Sequence, residues 1–109
     1  MKVYGIPNCD TVRKARAWLD AQGLAYTFHD YKKQGVPAEA LDAAAAALGW
    51  DALVNRRGTT WRKLDAATQA MAPAALAQAH PSVIRRPLVQ WPDGRWTVGF
   101  DAQAWARPA

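Results

Sequence analysis

The chain has 109 residues and a single cysteine, so one domain with an ordinary core is expected and an internal disulfide is excluded. Half of its residues are hydrophobic and 21% are charged, the balance of a globular protein rather than a disordered one. The net charge of +5 brings nucleic acid into question, but no DNA-binding motif or basic tail accompanies it, and no Cys/His cluster has metal-ligand spacing.

The first element is "KVYGI", a short β-branched and aromatic run stopped by Pro7, and it reads as a buried strand. From Asp10 the period changes: Val12, Ala15, Leu19 and Gln22 recur at helical spacing, and Gly23 is placed to end the helix. "AYTFHDY", Ala25 to Tyr31, alternates as the next strand, which makes a βαβ unit with parallel strands. The middle is helical. Pro37 opens an alanine-rich helix that closes at Gly49. Gly58, Thr59 and Thr60 lead into a short helix bearing Trp61 and Leu64, and Pro73 to His80 gives another. "PLVQW" and "RWTVGF" flank "PDG" as a hairpin, and Asp101 caps a last short helix. The order predicts an α/β protein: a thioredoxin-like fold, βαβ then ββα, with a mixed four-stranded sheet. A single domain over 1–109 is expected, with a helical insertion at about 36–80.

Cys9 falls between the first strand and the first helix. The first amides of a helix lack internal partners and carry partial positive charge, so a thiolate is favoured there. The thiolate is the attacking form of cysteine, which makes Cys9 the candidate nucleophile. Arg13 lies one turn further on, where its charge supports an anion. Asn8 is placed to cap the helix. His29 and His80 are not placed as general bases, and the six tryptophans read as packing residues rather than as base-stacking platforms.

Three stretches together, "YGIPNCDTVRKARAWL", "LVNRRGTTWRKL" and "PSVIRRPLV", resemble the ArsC/Spx family, most closely its YffB-like branch of small ArsC-like reductases. The similarity runs in order over essentially the whole chain. It implies a nucleophilic cysteine at Cys9, an arginine four residues later at Arg13, and an anion-binding arginine at Arg86 followed by a cis-proline at Pro87. Two further arginines of the arsenate-reducing members fall at Asn55 and near Gly99 here, and Arg57, Arg56 or Arg95 are the candidates to replace them. In the Spx branch a Cys-x-x-Cys switch is common. Here its second position is Val12, and Arg56, Arg57, Arg62 and Lys63 would form part of the docking face of a protein of that kind, which binds RNA polymerase.

The function expected is a glutathione-dependent thiol/disulfide reductase acting through Cys9; one alternative is arsenate reduction coupled to glutathione or glutaredoxin, and another, of a different class, is an Spx-like non-enzymatic regulator that binds RNA polymerase. Glutathione is the expected co-substrate, met by Arg13, Arg86, Arg57, Pro87 and Asn8, and glutaredoxin a candidate partner. No resident cofactor, metal, nucleic acid or membrane contact is expected. No apolar run approaches the roughly 20 residues of a membrane helix, and the start does not read as a signal peptide. A cytoplasmic monomer is therefore anticipated.

Overall fold

A computed structural model describes residues 1–106, and the last three residues lie outside the description. The elements in chain order are β1 (Lys2–Gly5), α1 (Asp10–Ala21), β2 (Thr27–Asp30), α2 (Tyr31–Gln34), α3 (Ala38–Leu48), α4 (Trp50–Leu53), α5 (Thr59–Lys63), α6 (Ala66–Gln69), α7 (Pro73–Ala79), β3 (Leu88–Gln90), β4 (Trp96–Val98) and α8 (Ala102–Ala106). A 3-10 turn at Pro81–Val83 follows α7. The chain divides into two compact units, one formed by 1–33 and 86–109, the other by 34–85.

The first unit holds the sheet, in the order β2-β1-β3-β4. β1 runs parallel to β2 and antiparallel to β3, and β4 closes the hairpin on β3. This is the mixed sheet that a βαβ–ββα order demands. Because β1 is central, both of its faces are covered: Val3 is fully buried and Tyr4 is 4% exposed. Val3 joins Leu19 of α1 and Val89 of β3 in one core cluster, with Trp18, Trp91 and Trp105 packed against it. Trp105 meets Trp18, Trp91 and Phe100 edge-on at 4.9–5.8 Å, which ties α8 to this cluster. Tyr4, by contrast, stacks with Tyr31 and Trp96 and touches His29.

Gly5 permits the tight start of α1. A Cβ there would meet Val12 Cγ2 at 3.0 Å, so even a methyl group would need Val12 to give way by a few tenths of an ångström. Strand β2 is shorter than the alternating run suggests. Asp30 Oδ1 accepts the Lys32 N–H at 2.8 Å, turning the chain into α2, so Tyr31 opens a helix instead of ending a strand.

The second unit is helical, with a core of Val54, Leu76 and Val83 flanked by Trp50, Trp61 and Leu64. Its alanine-rich helix α3 buries Leu41 and Ala44 and packs on α4 and α7. The unit ends five residues beyond the expected insertion. Val54 and Ile84 form an antiparallel bridge, and Arg85 N–H donates to the Leu53 carbonyl at 2.7 Å, so 81–85 stays attached to the helices. Two short helices escape the periodicity: α4, after Gly49, and α6, capped by Asp65 Oδ1 accepting Thr68 N–H at 2.7 Å.

Candidate functional site

Strand register shows what lies beside Cys9. Gly5 pairs with Asp30, and Tyr4 pairs with Leu88. The ladders stop there: Tyr31 follows Asp30 directly and opens α2, and Arg86 lies two residues before Leu88, across a cis peptide bond to Pro87. From Ile6 the chain turns through Pro7 and Asn8, and Cys9 N–H returns to the Ile6 carbonyl at 3.3 Å. Cys9, Tyr31 and Arg86 thus leave the sheet at the same end.

Cys9 is the N-cap of α1, with extended backbone and no capping bond from its side chain. The residue is partly exposed. The cap therefore belongs to Cys9 and not to Asn8, which stands one residue outside the helix and is exposed. Asn8 contributes its backbone: its carbonyl accepts Arg13 Nη2 at 3.4 Å. Arg13 Nη1 also holds Asp10 Oδ1 at 2.9 Å. The guanidinium is fastened across the turn that carries Cys9, and it offsets the Asp10 charge that would oppose a thiolate. This ion pair is exposed and contributes about 0–1 kcal/mol to stability, so a ligand anion can draw Arg13 away at little cost.

Arg86 is half-buried and has no carboxylate partner among the described residues. The Arg86–Pro87 peptide is cis, as the resemblance implied, and Pro87 is fully buried. The Pro87 carbonyl accepts the Gly99 N–H at 2.9 Å. Gly99 has φ +80°, a conformation that disfavours an arginine at that position whatever space surrounds it. Asn55 is likewise committed to structure. Its Oδ1 accepts the Arg57 N–H at 3.1 Å, and it packs so tightly on Gly58 that a Cβ there would sit 2.8 Å from Nδ2.

The candidate substitute arginines differ. Arg95 is held by Asp93 Oδ2 at 2.6 Å within the hairpin turn, and Arg56 by Asp51 Oδ1 at 2.7 Å, with its guanidinium over Trp61. Both are occupied. Arg57 is exposed, belongs to the helical unit, and has no side-chain ion pair among the described residues. Asn8, Cys9, Arg13, Arg86 and Pro87 belong to the sheet-bearing unit.

Sequence reasoning missed Tyr4 and Tyr31. The Tyr31 ring is 2% exposed, and its hydroxyl is buried without a hydrogen-bond partner among the described residues. Burial pushes its phenol far above the ordinary value, with Tyr4 adding to the rise and the Arg86 charge opposing it. Burial raises the Tyr4 phenol as well. In sequence Tyr31 looks like one more residue of an alternating strand, and nothing local marks it as a neighbour of Arg86.

The family model for the ArsC family matches residues 4–107. The chain belongs to the ArsC family. A solved protein named YFFB (PA3664) is 45% identical, with a TM-score of 0.87, over 96% of this chain and 95% of that one. An arsenate reductase (ArsC) related protein from Brucella melitensis is 44% identical with a TM-score of 0.74, over 95% of this chain and 89% of that one. An uncharacterized protein of Haemophilus influenzae is 41% identical over 91% of this chain and 90% of its own length. Spx, a global transcriptional regulator of Listeria innocua, is more distant at 29%, over 91% of this chain and 79% of its own. The ArsC family has the thioredoxin-like fold, and its members include arsenate reductases. Among the described residues of this chain no helix is long and apolar enough to cross a membrane.

Proposed function

We propose that this ArsC-family chain is a glutathione-dependent thiol reductase that works through one cysteine. The observation that carries the reading is the setting of Cys9: a partly exposed residue at the first turn of α1, at the sheet end where Arg86 has no carboxylate partner among the described residues. The free amides of the first turn favour the thiolate, and the arginines favour an anionic partner.

The Cys9 thiolate attacks the glutathione sulfur of a mixed disulfide RS–SG. The RS–SG bond breaks, the Cys9–SG bond forms, and RS⁻ leaves to take a proton from water. A second glutathione thiolate attacks the glutathione sulfur on Cys9, releasing oxidised glutathione and restoring the Cys9 thiolate. The net reaction is RS–SG + GSH → RSH + GSSG, so glutathione supplies both electrons. A second sulfur within the chain is not needed, and Val12, at the position of a resolving cysteine, is fully buried. Glutaredoxin is an alternative for the second step. Arg86, with Arg13 released from Asp10, binds the glutathione carboxylates.

Incubation with oxidised glutathione tests this. One glutathione adduct is expected on Cys9, formed more slowly in Arg86→Ala and absent in Cys9→Ser. An unmodified wild type, or equal rates with and without Arg86, contradicts the reading.

Arsenate reduction is the second reading, favoured by the relative described as arsenate reductase related. Asn55 and Gly99 weigh against efficient turnover. Each missing charge-assisted contact is worth roughly 1.5–3 kcal/mol, so arsenate is expected to be a poor substrate.

A further inference from the structure

Tyr31 and Arg86 form an incomplete pair. The Tyr31 side chain is closed off from solvent, with its hydroxyl making no hydrogen bond to the described residues. Arg86 carries five N–H donors and no acceptor, and it lacks a carboxylate partner among the described residues. Tyr31 directly follows β2 and Arg86 lies just before β3, at the end of β1 where the Ile6 carbonyl receives Cys9 N–H, and the Arg86 charge is felt at the Tyr31 phenol. A buried polar group without a partner carries an uncompensated desolvation cost, and such groups are rare enough to need a reason. A phenol oxygen accepts hydrogen bonds, and a guanidinium can only donate. Each is what the other lacks.

We propose that Tyr31 is the positioning residue of Arg86: with an anion on the guanidinium, the Tyr31 hydroxyl accepts one of the remaining N–H bonds and fixes the direction of the fork. The bound anion takes the outward edge of Arg86, and Tyr31 takes the inward edge. Tyr31 itself is held by ring stacking on Tyr4, 6.4 Å between centroids, and by the start of α2 that Asp30 caps. The cost of the unpaired hydroxyl is borne by the empty state and removed on binding, which adds to affinity. This inference rests on Arg86 being the anion contact of the proposed function.

The test is calorimetric binding of two unreactive probes, arsenate without any thiol and S-methylglutathione, to the full chain. Tyr31→Phe keeps the ring and deletes the oxygen. It should weaken whichever probe the wild type holds by about tenfold, the scale of a hydrogen bond to a charged group. The ligand-free melting temperature should stay level or rise, because the deleted hydroxyl has no hydrogen-bond partner among the described residues. In an Arg86→Ala background, or Arg86→Lys if the alanine variant does not fold, adding Tyr31→Phe should change binding no further. Wild-type affinity in Tyr31→Phe overturns the inference. So does a lowered melting temperature without ligand, an undiminished loss in the Arg86 variant, or no binding of either probe to the wild type. Labelling of Cys9 by oxidised glutathione is a separate readout. Labelling with Tyr31-independent binding removes only this inference, whereas Tyr31-dependent binding without labelling removes only the reductase reading.

Discussion

Cys9, Arg13 and Arg86 divide the work at the level of single residues. In the proposed reaction Cys9 is the attacking sulfur, and its place at the α1 start follows directly from the change of period at Asp10. Arg13 is tied to Asp10 by an exposed ion pair. Arg13→Ala should therefore lower stability by no more than about 1 kcal/mol, while slowing the reaction of Cys9 with oxidised glutathione several-fold. Urea unfolding and timed mass spectrometry read the two separately. A large stability loss would mean that Arg13 is structural. The sequence marks these residues well because each sits in a contiguous motif. It does not mark Tyr31, which reaches the site only through the parallel pairing of β2 with β1. Asn8 looks like a cap by residue type, but one position decides the matter, and the extended residue is Cys9.

Among the elements, the long helix α1 follows its sequence period, while some of the shortest helices depend on a side-chain cap. Helix α1 is legible because its buried residues recur at the helical period, and β1 because it is a run of consecutive buried residues, as in a strand covered on both faces. Helices α2 and α6, of four residues each, are too short for a period. They depend on Asp30 and Asp65 accepting amide hydrogens. Asp65 is held below the usual carboxylate value by its bonds to Thr68. A depressed folded value means that the charged cap stabilises above the unfolded value and the benefit fades as pH falls through it. Asp65→Ala should lower the melting temperature at pH 7 and lower it progressively less in acid, as pH falls below the unfolded Asp value near 3.9. Equal losses at pH 7 and in acid would contradict the cap. At the β1–α1 junction, Gly5→Ala forces a methyl against Val12 at 3.0 Å and should cost about 1–3 kcal/mol. Unchanged denaturant midpoints would show that α1 can slide.

The net charge of the whole molecule lies mainly in the sheet-bearing unit, where nine Lys and Arg face five Asp. The arginine-rich stretch 55–63 looks like the basic centre in the sequence, but Glu39, Asp42, Asp51 and Asp65 of its own unit offset it almost entirely. An anionic disulfide should thus be attracted to the unit that holds Cys9. Its rate with Cys9 should fall from low to high salt, while neutral iodoacetamide stays unaffected. A salt response shared by both reagents would mean that salt alters the fold instead. Because Cys9 is the only thiol in 109 residues, alkylation of the intact chain reports this one site. The decisive measurement is the iodoacetamide rate at pH 7 for folded protein against the same chain in urea. An activated nucleophile reacts faster folded than unfolded, despite being half-exposed. A slower folded rate would make Cys9 a packing residue and remove the reductase reading.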